Sequence, residues 1–184
     1  MTERAEIETE RLILRHWKDT DLDPFISMNA DTTVMRFYQD TLSAEETRAF
    51  FNSIKQELSE YGYGLYAVEE KKSGHFIGYI GFHWAGFDMD FCPCIEIGWR
   101  LDKPYWNKGY ATEGAAACLK YGFESLSFNE VVSFTSIENI ASQRVMQKIG
   151  MRFERYFEHP NIAEGHPLRP HVLYKIKKDE YMPI

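Results

Sequence analysis

The stretch that most restricts the fold lies between residues 95 and 126. Ala111, Ala115, Cys118, Leu119, Gly122, Phe123 and Leu126 fall at offsets 0, 4, 7, 8, 11, 12 and 15, one continuous face of an α-helix. Just before it, Ile95 to Leu101 reads as a strand, and Pro104-Tyr-Trp-Asn-Lys-Gly-Tyr-Ala-Thr-Glu113 joins the two. A strand, a short glycine-bearing loop and a helix start together make a ready anion site. The first N–H groups of a helix lack intrahelical partners and sit at the positive end of its dipole. Gly109 admits close backbone approach, Ala111 and Thr112 keep the first turn uncrowded, and Lys108 adds a cation. The same spacing also serves a plain β–α turn. The segment is neither a G-x-x-x-x-G-K-[ST] loop nor a G-x-G-x-x-G fingerprint.

Around this unit the chain reads as mixed α and β. Residues 7–17 look like a strand through Arg11-Leu-Ile-Leu-Arg15, and 19–30 suggests a short helix. Ser43-Ala-Glu-Glu46 is a capping box that opens a helix carrying Phe50, Phe51, Ile54 and Leu58. Gly62 and Gly64 break it. Strands are predicted over 65–69 and 76–84 with a turn at Lys71-Lys-Ser-Gly74, then over 95–101, 131–135, 151–157 and 171–176. Asn139 can cap a last helix that stops at Gly150. The expected class is α+β: a mixed, mostly antiparallel central sheet of about seven strands flanked by helices. With 184 residues, no repeat and no linker, a single domain over 1–184 is expected.

Charge narrows the function. The net of -7 argues against nucleic-acid and anionic-membrane partners, which favour basic surfaces. Residues 1–100 carry 10 basic and 18 acidic side chains, a net of -8, while 101–184 carry 11 and 10, a net of +1. An anionic ligand therefore belongs more naturally to the second half. Three cysteines with no C-x-x-C pair give little support for a metal site or a disulfide framework, and the charged N-terminus lacks an apolar leader. A cytoplasmic protein without a bound metal is expected.

Ile97-Gly-Trp-Arg-Leu, Tyr105-Trp-Asn-Lys-Gly-Tyr-Ala-Thr-Glu113 and Glu138-Asn-Ile-Ala-Ser-Gln-Arg-Val-Met-Gln-Lys-Ile-Gly150 resemble the GNAT superfamily of acyl-CoA-dependent N-acyltransferases. The opening Glu8-Thr-Glu-Arg-Leu-Ile-Leu-Arg-His-Trp17 and Asp31-Thr-Thr-Val-Met-Arg-Phe37 are similar to its RimJ/RimL-type branch, which includes ribosomal-protein N-terminal acetyltransferases and small-amine acetyltransferases. The resemblance covers about residues 7–177. It implies the GNAT fold, acetyl-CoA as cosubstrate, and transfer of an acetyl group to a protein N-terminus or small amine by direct attack on the thioester. A homodimer stays open. The alternative is a non-catalytic acyl-CoA-binding or regulatory module with the same fold.

The resemblance also implies roles. The CoA pyrophosphate would lie on Asn107, Lys108, Gly109, Tyr110, Ala111 and Thr112, and the pantetheine along Gly98, Trp99 and Arg100. Asn139 would hydrogen-bond the pantetheine, and Arg144 or Lys148 would reach the phosphates. Two positions depart from the wider family. Trp106 stands three residues before the loop glycine in place of Gln or Arg, and Met146 occupies the place of a tyrosine that protonates the leaving thiolate. Ser142, one turn earlier, is the candidate replacement. Because an ammonium must lose a proton before it can attack, a base is needed, and Glu96 between Ile95 and Ile97 is the candidate. His83 and Glu113 are weaker ones. The acceptor pocket is expected among Phe37, Tyr38, Tyr61, Tyr63, Tyr66, Phe82 and Trp84, most of them core, with Tyr38 and Trp84 chosen as contacts. Residues 159–170 read as a surface loop or lid.

Overall fold

The computed structural model describes residues 6–183. Its centre is an eight-stranded sheet of β1 (Ile7–Glu8), β2 (Leu12–Arg15), β3 (Leu65–Glu70), β4 (His75–Ala85), β5 (Cys94–Leu101), β6 (Glu130–Ser136), β7 (Arg152–Glu158) and β8 (Pro170–Lys177). The spatial order is β1-β2-β3-β4-β5-β6-β8-β7. Every neighbouring pair is antiparallel except β5–β6, which is parallel. The expected α+β class holds, with one strand more than anticipated. Residues 7–17 are two strands: Thr9 to Arg11 reverse the chain, so Ile7 faces Leu14 and Glu8 faces Ile13. Thr9 closes this turn, its N–H donating to the Leu12 carbonyl at 3.0 Å and its Oγ1 accepting from the Leu12 N–H at 2.9 Å.

Among the described residues four α-helices cover the sheet: α1 (Leu22–Ala30), α2 (Ala44–Tyr61), α3 (Tyr110–Glu124) and α4 (Ile140–Lys148). The capping box is formed in both directions. Glu46 N–H donates to Ser43 Oγ at 3.2 Å, and Ser43 N–H donates to Glu46 Oε2 at 2.8 Å. The small residues of α3 have a steric reason. A Cβ on Gly114 would lie 2.4 Å from Ile80 Cδ1, so the glycine lets α3 settle on β4 without displacing the end of the Ile80 side chain. Ala115, Cys118, Leu119 and Phe123 complete that buried face.

The opposite face of the sheet carries α1 and α2. Here Trp17 stacks near Phe25 (4.8 Å between centroids) and Phe51 (5.5 Å), and Phe25 meets Tyr79 at 6.1 Å. Such pairs add about 0.5–1.5 kcal/mol each beyond area burial. Much of the 15% aromatic content is therefore packing. The alternation of β4 sends Tyr79, Gly81 and His83 to the α1/α2 face and Ile80 and Phe82 to α3. Across the β4–β5 ladder, Tyr79 faces Arg100, Gly81 faces Gly98, and His83 faces Glu96.

Candidate active site

The parallel pair β5–β6 registers at a single position, Glu96 opposite Val132. Past it the strands part, and a cleft of about 1020 Å³ opens between them. Gly98, Trp99, Arg100 and Leu101 of β5 form one wall, and Ser133, Phe134 and Thr135 of β6 another. The start of α3 and the inner side of α4 close its length. An unpaired strand edge beside an open groove suits an extended ligand able to hydrogen-bond like a strand.

Glu96 lines this cleft at the point of divergence. Among the described residues no hydrogen bond or ion pair engages its carboxyl, and burial pushes its pKa up to about 8. His83, its cross-strand neighbour, directs Nδ1 to Glu57 Oε2 at 3.2 Å instead. A carboxyl poised near neutral pH is suited to exchanging protons.

The start of α4 brings Asn139, Ser142 and Thr135 together. Asn139 Nδ2 donates to Thr135 Oγ1 at 3.0 Å and to Ser142 Oγ at 3.1 Å, and its Oδ1 accepts from the Ser142 N–H at 3.2 Å. The cap expected of Asn139 is formed. As Ser142 Oγ accepts from Asn139, its own proton remains free to be donated, and Ser142 lines the cleft. Met146 is buried, with 1 % exposure, and borders the same cleft.

At the other end, Asn107 (φ 59°) and Gly109 (φ 82°) both hold left-handed backbone. Gly109 is the N-cap of α3 and provides no side chain, leaving the first helical N–H groups open. Asn107, Gly109, Tyr110, Ala111 and Thr112 line the cleft. Lys108 is absent from that wall; its Nζ lies 5.2 Å over the Tyr105 ring. Its carbonyl is held by Arg11, whose Nη1 donates at 2.8 Å. Arg11 Nε also donates to Glu113 Oε2 at 2.6 Å, while Glu113 Oε1 accepts from the Arg11 N–H at 2.9 Å and from Thr9 Oγ1 at 2.6 Å. Burial works to raise the Glu113 pKa, but the hydrogen bonds from Thr9 and Arg11 outweigh it and hold it below its ordinary value. Glu113 is thus a tie between the β1–β2 turn and the loop. This linkage spans about a hundred residues and had no signal in the sequence.

Of the seven aromatics considered for an acceptor pocket, Phe37 and Tyr38 line the cleft. Tyr66 and Phe82 are core. Trp84, 54 % exposed, lines a separate depression of about 230 Å³ with Phe91, Ile95 and Glu130. The structure does not bring it to the cleft. One residue from His83, it points to the other face of β4. Sequence reasoning missed Tyr79, Arg36, His159 and His171, which do line the cleft. The loop between β7 and β8 contributes His159, Asn161 and Ile162 to the wall. His159 and His171 stack with centroids 4.9 Å apart, and burial, then the proximity of His171, pushes His159 down to about 4. Arg144 and Lys148 are exposed and line the rim.

The three cysteines are free and none lines the cleft. Burial pushes Cys94 up to about 12 and raises Cys118, which keeps both as thiols at neutral pH. Among the described residues there is no group of His, Cys, Asp and Glu that could hold a metal, and no helix is long and apolar enough to cross a membrane.

A family model described as an acetyltransferase (GNAT) domain matches residues 11–152. The chain is 33% identical over 178 residues to YnaD of Bacillus subtilis strain 168, described as an uncharacterized N-acetyltransferase, with 95% of this chain and 98% of that one covered. A crystal structure of a GNAT-family acetyltransferase from Bacillus anthracis superposes with a TM-score of 0.79 at 32% identity, covering 95% of this chain and 99% of that one. A spermidine N-acetyltransferase from Vibrio cholerae, in complex with CoA and spermine, shares the fold with a TM-score of 0.73 at 17% identity, covering 94% and 99% of the two chains.

Proposed function

Because the chain belongs to the GNAT acetyltransferase family, and so is an N-acetyltransferase that uses acetyl-CoA and an amine acceptor, we propose that it transfers the acetyl group directly to a primary amine, with Glu96 as base and Ser142 as acid. The observation that carries this reading is the unpaired carboxyl of Glu96, with a pKa near 8, at the point where β5 leaves β6. Acetyl-CoA supplies an activated thioester carbonyl. Gly98, Trp99 and Arg100 would pair with its pantetheine along the open strand edge, and residues 107–112 would receive the pyrophosphate on left-handed backbone and free helical N–H groups. The side chain of Lys108 adds field rather than contact. Arg144 and Lys148, on the rim, add charge near the phosphates.

Glu96 takes a proton from the acceptor ammonium, directly or through one water. The freed amine nitrogen forms a bond to the thioester carbon, and a backbone N–H near Trp99 stabilises the oxygen that takes up the electron pair. As the carbonyl re-forms, the carbon–sulfur bond breaks, Ser142 Oγ gives its proton to the departing thiolate, and the second proton lost by the acylated nitrogen restores the Ser142 hydroxyl, directly or through water. Asn139 positions that hydroxyl at 3.1 Å and orients it as an acceptor, so its hydrogen is directed elsewhere. No thiol is needed as an acyl carrier, consistent with the cysteines lying outside the cleft.

The opening motif favours the RimJ/RimL-type branch, with a protein N-terminus or a small amine as acceptor, and three free cysteines suit a cytoplasmic setting. Acetyl transfer is preferred over a non-catalytic acyl-CoA-binding module because a carboxyl and a hydroxyl suited to both proton transfers share the cleft. The test is release of free thiol from acetyl-CoA across a panel of amines and peptides, alongside CoA binding by calorimetry. Turnover with at least one amine supports the reading. Tight CoA binding without turnover of any amine contradicts it.

A further inference from the structure

Arg100 is 7 % exposed, yet among the described residues no carboxylate pairs with it. Its Nη1 donates to Asn29 Oδ1 at 2.7 Å, and its Nε has no hydrogen-bond partner. Its guanidinium lies under the Tyr38 ring at 4.1 Å and near Tyr79 at 5.3 Å. Burial works against the charge, but Tyr38 and Tyr79 outweigh it, so the cation is retained. Burying a guanidinium without a counter-anion carries a large desolvation penalty. Ring faces compensate only part of this. A purely structural role does not account for the arrangement.

Position gives the missing partner. Glu96, Gly98 and Arg100 project from the same face of β5, and all three line the cleft. Glu96 and Arg100 are joined by no ion pair or hydrogen bond, and at about 3.3 Å per residue their backbones are roughly 13 Å apart. Between them stands Gly98, which has no side chain. The cleft face thus presents a proton acceptor, a gap and an unpaired cation, the complement of a molecule with an ammonium at one end and an anion at the other. Tyr38 covers one face of the guanidinium, and Arg100 lines the cleft with its Nε–H unpartnered. A planar fork with an unanswered donor favours a carboxylate, the anion whose geometry matches it.

We propose that Arg100, framed by Asn29, Tyr38 and Tyr79, is an acceptor-binding subsite for a carboxylate, and that the acceptor is a small amino acid-like amine and not a polyamine. The inference rests on the acetyl-transfer reading above. A polyamine would bring a second positive charge toward Arg100, whereas an amino acid supplies the counter-charge the buried guanidinium lacks.

The test uses the full chain and pairs of α-amino acids with their carboxamides, which match in shape and lack the negative charge. For turnover, kcat/KM should favour the acid by about a hundredfold or more. For binding, calorimetry on CoA-loaded protein compares N-acetylated amino acids with their amides, ligands that cannot react. The acid should bind at least about tenfold more tightly, and Arg100→Gln, measured at saturating CoA, should erase that preference. Arg100→Lys, which keeps the charge but loses the fork, should restore part of it. Both comparisons on the unaltered protein remain decisive if a variant does not fold. Equal or better use of amides or spermidine overturns the proposal, as does a preference unchanged in Arg100→Gln. If no amine is acetylated while the binding preference is present, the acetyl-transfer reading fails and the carboxylate subsite stands.

Discussion

Glu96 stands opposite His83 across the β4–β5 ladder, and yet His83 meets Glu57 at 3.2 Å and leaves the Glu96 carboxyl without a cation. That diversion keeps an acid with a pKa of about 8 in the cleft. An internal ion pair would have lowered it and made it a poor base near neutral pH.

The free protein should register this in its pH dependence. Glu96 titrates at an ordinary 4.5 when exposed and about 8 when folded, so the folded state holds a proton that the unfolded chain gives up between those values. Stability is full below about pH 4.5, falls as pH rises toward 8, and then levels as both states are ionised. Glu96→Gln removes this loss. Its Tm should equal that of the parent near pH 4 and exceed it progressively up to pH 8. A Tm difference independent of pH would show that Glu96 is not held protonated by the fold.

Ser142 and Asn139 should separate into chemistry and scaffold. Ser142→Ala removes the proton donor proposed for the thiolate, and kcat should fall about 10²- to 10⁴-fold with little change in Tm or CoA affinity. Asn139→Ala removes the cap and both side-chain donations, and should cost about 1–2 kcal/mol of stability as well as rate. If Ser142→Ala retains the parent kcat, the proton reaches sulfur from elsewhere.

Arg11 does not itself line the cleft, but it backs the wall from behind, its guanidinium 4.5 Å over the Tyr110 ring, and should tune the phosphate loop. It holds the Lys108 carbonyl and Glu113 together. Arg11→Ala should weaken CoA binding by about tenfold, or about 1.4 kcal/mol. At saturating acetyl-CoA, kcat should stay within about threefold. Titration calorimetry decides it. Unchanged affinity would mean the loop keeps its shape without the tie.

The elements that hold the site were legible where periodicity was strong. The face of α3, the capping box at Ser43 and Glu46 and the loop through Gly109 all follow from local rules, and the structure has each of them. Alternation alone placed Glu96 on one side of β5. It does not say which face of β4 meets the cleft, and Trp84 lines a separate depression. The turn at Thr9–Arg11 was lost inside one apolar segment because Leu12-Ile-Leu14 dominates its surroundings. Arg11–Glu113, His83–Glu57 and the lone cation at Arg100 depend on which strands become neighbours, and spacing along one chain does not carry that information.

The central claim, direct transfer with Glu96 as base, is tested most directly by the pH profile of kcat/KM for acetyl transfer, measured for the parent and Glu96→Gln with one acceptor. The profile reports groups of the free enzyme and free substrate, so comparing the two proteins with the same acceptor isolates Glu96. The parent should climb with pH and level off above about 8, as the carboxyl loses its proton. Glu96→Gln should lie about 10²- to 10⁴-fold lower near pH 8, with CoA affinity unchanged. A Glu96→Gln profile that overlays the parent in height and midpoint would contradict the account.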